Sequence, residues 1–175
     1  MRKARESLVN PKSPTHKDIT MSATTMETRA VSYTFEVRIE APKQSVWDAL
    51  TEGINAWWLP DFHMMGADSV VRFEARAGGQ LIEERADGSG LLWYTVSMCT
   101  PGTCLYMHSF TAPEWGGPHT TLLKLALEED SGATVLRVTD SLVGHVTDST
   151  ANTMQEGWTQ LFSEGLKAHL ESRAS

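Results

Sequence analysis

From Val31 the chain alternates at a period of two, Tyr33, Phe35, Val37 and Ile39 against Thr34, Glu36, Arg38 and Glu40. This is the pattern of a strand with one wet face. Ala41-Pro42 stops the strand and opens a helix, because proline's missing N–H costs nothing in a first turn. Val46, Trp47, Ala49 and Leu50 give that helix an apolar side, and Gly53 ends it. Residues 54–60, with Trp57 and Trp58, read as a second short helical segment. Six short strands follow at 69–75, 80–85, 91–99, 104–110, 120–128 and 133–140, each bounded by turn residues such as Gly78-Gly79, Asp87-Gly88 and Pro101-Gly102. The stretch 111–119, with Pro113, Trp115, Gly116, Gly117 and Pro118, reads as a loop.

From near Asp148 to Glu171 the period becomes helical. Met154, Trp158, Leu161, Gly165 and Ala168 fall in one stripe, with Phe162 and His169 at its edge. Glu156, Gln160, Ser163, Glu164, Lys167 and Glu171 fall opposite. Asp148 or Ser149 is the expected start of this helix. A sheet with one apolar face must be covered, and the terminal helix is the only element long enough to do it. The expected fold class is α+β: one curved antiparallel β-sheet, a long C-terminal α-helix against it, and two short helices after the first strand.

Charge divides the chain. Residues 1–30 carry six basic and three acidic residues, whereas 31–175 carry nine basic and nineteen acidic, within a total of −7. Residues 1–30 also lack periodic apolar positions and read as a disordered arm, leaving 31–175 as a single domain. Nucleic-acid binding needs clustered cations to release phosphate counterions, and this balance offers none. No run approaches the ~20 apolar residues of a membrane span, nor is there the apolar run of a secretory signal. The expected location is therefore the cytoplasm. Cys99 and Cys104 flank a hairpin turn and read as two reduced, partly buried thiols, with a cross-strand disulfide as the alternative. There is no phosphate-binding glycine loop, no nucleophile motif and no histidine pair at metal spacing, so neither cofactor nor metal is expected.

This order, with particular residues, resembles the START/polyketide cyclase-like (SRPBCC) superfamily, and within it the branch of homologues of the activator of the heat-shock chaperone ATPase. The residues that carry the resemblance are Ala41-Pro42 through Val46-Trp47-Asp48-Ala49-Leu50-Thr51, Trp57-Trp58, Gly78-Gly79, Glu83-Glu84 before Asp87-Gly88, Thr134-x-Leu136-x-Val138, and Gly157-Trp158 with Leu166-Lys167-x-His169-Leu170-Glu171. It covers about residues 31–172 and implies a helix-grip fold, in which the bent sheet wraps around the C-terminal helix. Ser109, Asp140 and Trp93-Tyr94 depart from residues common in the family, so no ligand carries over from relatives.

An aromatic and aliphatic set stands out as candidate ligand-binding residues: Trp57, Trp58, Phe62, Phe73, Tyr94, Met98, Met107, Leu125, Trp158, Leu161 and Phe162. Such side chains fill cores, and they also line adaptable apolar pockets. Gly165 in mid-stripe implies that something approaches the helix closely there. The favoured reading is non-catalytic binding of a small hydrophobic or amphipathic molecule in a cavity between sheet and helix, lidded by residues 57–65 and the Trp115 loop, with Glu83 or Asp140 orienting a polar end. The first alternative is a cyclase- or hydrolase-like enzyme in the same cavity, with Glu83, His108 or Asp140 as acid or base. By alternation Glu83 and Asp140 face inward and Arg72 outward, while His108 faces outward if Leu105 and Met107 face in, a phase that alternation leaves open. The second alternative is a co-chaperone-like interaction module with a protein partner such as a chaperone; the chain is a monomer or a homodimer.

Overall fold

The alternation read from Val31 belongs to strand β1, Arg29–Ile39, in a computed structural model that describes residues 22–173. The strand starts at Arg29, whose guanidinium donates to the Val146 carbonyl and to Asp148. The expected disordered arm falls, for residues 1–21, outside the described residues. Helix α1 spans Lys43–Thr51 and buries Val46, Trp47, Ala49 and Leu50. Two single turns of 3₁₀ helix, Ile54–Ala56 and Pro60–Phe62, follow it.

Six further strands are β2 (Val70–Phe73), β3 (Gln80–Glu84), β4 (Gly90–Thr100), β5 (Cys104–Thr111), β6 (His119–Asp130) and β7 (Ala133–Gly144). They form one antiparallel sheet in the order β1-β7-β6-β5-β4-β3-β2, curved around the C-terminal helix. Inward side chains of the strands, including Ile39, Val71, Leu105, Leu136 and Val138, are fully buried and share one core with Leu161 and Leu166 of that helix.

The C-terminal helix is continuous but not uniform. It runs as α2 (Asp148–Gln160), a π-helical stretch (Leu161–Lys167) and α3 (Ala168–Ser172). Its N-cap is Thr147, whose Oγ1 accepts from the Thr150 N–H at 3.0 Å. The helix itself begins at Asp148, one of the two expected starts. The i→i+5 pattern of the π stretch widens each turn and rotates everything beyond it. Ala168 is therefore exposed, although the straight-helix stripe places it on the apolar face, and Leu166 is buried.

Two bulges re-aim side chains on β4, as an extra residue in one strand of a pair does. Between β3 and β4, Trp93 is skipped, so Trp93 and Tyr94 both turn inward. Between β4 and β5, Ser97 is skipped, which flips the next residues. Cys99 then faces inward opposite Leu105, and Cys104 lies opposite Thr100 on the other face. The two thiols point to opposite sides of the sheet and are free, so the cross-strand disulfide is excluded. Burial raises the Cys99 thiol pKa, and its Sγ–H donates to the Ala75 carbonyl at 3.1 Å.

Candidate functional site

Beneath α2 and the π stretch, the concave sheet face meets the segment that joins α1 to β2. Seven of the sequence-singled residues line the same gap: Trp57, Trp58, Phe73, Met107, Leu125, Trp158 and Phe162. Leu50, Ile54, Leu81 and Leu123 complete it. The expected open cavity is not there. The remaining void is about 20 Å³, room for one water, against the ~300–1,000 Å³ of a ligand pocket. Aromatic rings fill the rest. Trp158 stacks on Phe162 with centroids 5.6 Å apart, Phe162 lies 6.1 Å from Trp57, and Trp57 lies 5.8 Å from Trp58. The polar tips of both lid tryptophans are satisfied locally, Trp57 Nε1 by the Ala49 carbonyl (2.7 Å) and Trp58 Nε1 by the Phe62 carbonyl (3.3 Å).

The other four candidates sit elsewhere. Tyr94 is buried beside the gap, tilted against Trp158, and Leu161 is buried in the core. Phe62 packs half-buried over Gly157. Met98 is 44% exposed on the outer face because of the bulge at Ser97, so it belongs to no pocket.

Glu83 faces inward as alternation requires and is 0% exposed. Its Oε1 accepts from the Met65 N–H (2.8 Å) and Ser69 Oγ (2.5 Å), and its Oε2 from the Met64 N–H (3.1 Å) and Trp93 Nε1 (3.1 Å). His63 Nδ1 lies 3.5 Å from Oε1 and 2.9 Å from Ser69 Oγ. Burial alone would raise the Glu83 pKa, but these donors outweigh it and hold the carboxyl below its usual value. Trp93, which the sequence marks as a departure from the family but not as a site residue, joins this group only through its bulge, and its ring meets Trp58 edge-on at 5.5 Å.

Asp140, also 0% exposed, accepts from Tyr33 Oη (3.0 Å) and from Thr121 Oγ1, and Thr121 Oγ1 in turn meets Tyr94 Oη at 3.3 Å. Burial raises the Asp140 pKa and, helped by Asp140 itself, those of Tyr33 and Tyr94. Burial lowers that of the neighbouring His119. His108 stands on the outer face, bonded to Ser97 Oγ at 2.8 Å and edge-on to Phe110. The three acid–base candidates therefore do not converge. Strands β4, β5 and β6 separate Glu83 on β3 from Asp140 on β7, and each carboxylate is closed by its own donors. Arg72 faces outward, as expected. Among the described residues no group of three or more His, Cys, Asp or Glu is placed to hold a metal ion. None of their helices is long and apolar enough to cross a membrane.

No curated protein matches the chain in sequence. Solved structures with the same fold include an uncharacterized protein from Rhizobium leguminosarum (18% identity, TM-score 0.64, covering 85% of this chain and 99% of that one). They also include the Aha1 dimer from Colwellia psychrerythraea (25%, 0.57, 81% and 96%) and CalU16 from Micromonospora echinospora (18%, 0.53, 81% and 83%). Residues 40–171 match the family described as Activator of Hsp90 ATPase homolog 1-like protein. That stretch runs from the end of β1 to the last turn of the C-terminal helix, the span over which sheet, lid and helix assemble. The chain belongs to the Activator of Hsp90 ATPase homolog 1-like family, within the SRPBCC type of helix-grip proteins.

Proposed function

We propose that this protein binds a small apolar or amphipathic molecule between the sheet and the C-terminal helix, admitting it when residues 54–69 swing away. The observation that carries this reading is the composition of the seam. Eleven residues from α1, the lid, the sheet and the helix converge there, all apolar or tryptophan, around a void left unfilled. The π stretch lies over it, and such helical irregularities recur at functional sites. A closed resting state exacts a conformational penalty on affinity, equal to the fraction of time the pocket is open. The neutral probe N-phenyl-1-naphthylamine is expected to bind saturably and one-to-one, quenching tryptophan fluorescence by energy transfer. Its association rate should level off at high probe concentration, because opening comes first. Unsaturable binding, or none up to the solubility limit of the probe, removes this reading.

A second reading, a module that pairs through its outer sheet face, has a different observation behind it. Leu92, Met98, Tyr106, Phe110, Leu122 and Val143 are 37–75% exposed on β4–β7. Among the described residues no carboxylate interrupts them between the Glu36–Arg137–Glu128 ion pairs and the Arg72–Glu84 pair. On an acidic domain this carboxylate-free window, which also carries Lys124 over the Tyr106 ring, is where a copy or a protein partner approaches with least repulsion. The Colwellia relative is a dimer by its description. Sedimentation velocity is expected to show self-association that Leu122→Glu abolishes; a monomer at the highest soluble concentration counts against pairing of copies.

A further inference from the structure

We propose that Glu83 is the latch of the pocket, a positioning residue whose carboxylate holds the far end of residues 54–69 shut and whose loss frees that end while the sheet stays folded. The inference rests on the binding reading for its purpose but not for its mechanics.

A carboxylate offers about four acceptor sites, and four donors fill those of Glu83. Three of the four, the Met64 and Met65 N–H groups and Ser69 Oγ, belong to the segment. The fourth, Trp93 Nε1, comes from the β4 bulge and carries the ring on which Trp58 rests. A ligand could donate a hydrogen bond to Glu83 only by displacing one of these donors. The group that alternation marks as a ligand-orienting or catalytic candidate is therefore spent on the lid.

The segment has little else to hold its far end. Its regular structure is two three-residue turns. Near α1 it is pinned by Asn55, whose side chain bonds both the N–H and the carbonyl of Val71, and by Trp57 Nε1 on Ala49. At the far end, Arg85 reaches the Met65 carbonyl (3.3 Å) and Asp68 (2.9 Å), but the Arg85–Asp68 pair is exposed and worth little. Met64 is 60% exposed and contributes no anchoring burial. Polar attachment at 63–69 is thus concentrated on one buried carboxylate. Hydrogen bonds to a charged group are strong and directional, so the segment is either seated on Glu83 or released from it, with no stable half-way position.

Glu83→Gln keeps the shape and replaces one acceptor oxygen with an NH₂ that faces donors. Amide hydrogen exchange without ligand is expected to accelerate about 100-fold at Met64 and Met65, from the loss of charge-assisted bonds. Leu105 and Leu123 in the sheet should change far less, and N-phenyl-1-naphthylamine should associate faster by a similar factor. Trp93→Phe, which removes one donor and keeps a ring, should accelerate the same two amides about tenfold, and it stands in should the glutamine variant fail to fold. Equal acceleration of lid and sheet amides makes Glu83 an ordinary structural residue and overturns the latch, as does no acceleration at all. Fast lid exchange with no probe binding leaves the latch standing and overturns the binding reading instead.

Discussion

Trp158→Ala is expected to destabilise the fold by about 3–5 kcal/mol, the range for deleting a large buried aromatic. Its indole is 8% exposed, stacked on Phe162 and tilted against Tyr94, and it forms part of the wall of the central gap. The stacked pair adds ~0.5–1.5 kcal/mol to burial alone. Urea denaturation should show a lower midpoint at an unchanged slope, the signature of lost stability without a change in unfolded surface. The second consequence is more specific. Removing the indole merges its volume with the adjoining void of about 20 Å³, and a void lined this way is apolar enough to stay dry. Added indole should then restore part of the lost stability in the variant and do nothing for the wild type, since a ligand stabilises only the state that binds it. A loss below ~1 kcal/mol would mean that Trp158 is not packed as a core residue. Trp158→Phe should fall between the two.

The order of elements was legible because each rests on a local signal: alternation in β1, turn residues between strands, a helical stripe at the end. The sheet order was not, since nothing local states that β1 returns to pair with β7. That pairing is what brings Tyr33 to Asp140. Both residues were readable as inward-facing, and a buried tyrosine hydroxyl needs a partner, but the partner lies 107 residues away.

The site divides along the same line. Residues at regular phase, such as Met107, Leu125, Trp158 and Phe162, were found from the pattern and do line the gap. Residues after an irregularity were not. One extra residue in β4 sends Met98 out and another brings Trp93 in, and neither bulge has a glycine or proline to announce it. The π stretch does the same to Ala168, which it turns out of the apolar stripe. Alternation found the inward face of Glu83 but not its purpose, because what it binds is a loop whose path no periodicity describes. The hollow itself failed as an expectation for a physical reason. Large rings at the right phase are equally consistent with lining a space and with filling it, and only packing distinguishes the two.

Gly165 is where packing and pattern meet, and alanine there is expected to destabilise by ~1–3 kcal/mol, the usual range for overpacking. Helix propensity argues the other way, since alanine gains ~1 kcal/mol over glycine inside a helix. The contact decides. A Cβ on Gly165 would stand 2.5 Å from the Trp57 carbonyl oxygen and 3.4 Å from Leu59 Cγ and Trp57 Cε3. A carbonyl oxygen cannot rotate aside as a side chain does, so either the helix lifts or the lid backs away. The approach inferred from the sequence is therefore real, and its source is the lid rather than the sheet. Gly157, one helical stretch earlier, supplies the control. Its Cβ would meet only the Phe62 ring, at an ordinary 3.7 Å, so Gly157→Ala should be neutral or gain up to ~1 kcal/mol. Opposite signs from the same substitution on one helix, read by urea denaturation, separate close approach from propensity. Should Gly165→Ala instead stabilise, the lid does not rest against the π stretch, and the pocket closes in some other way. If the lid is what yields, amide exchange at residues 57–65 should quicken in Gly165→Ala with Glu83 untouched, so that the same segment is loosened from its helix side and its sheet side by two independent substitutions.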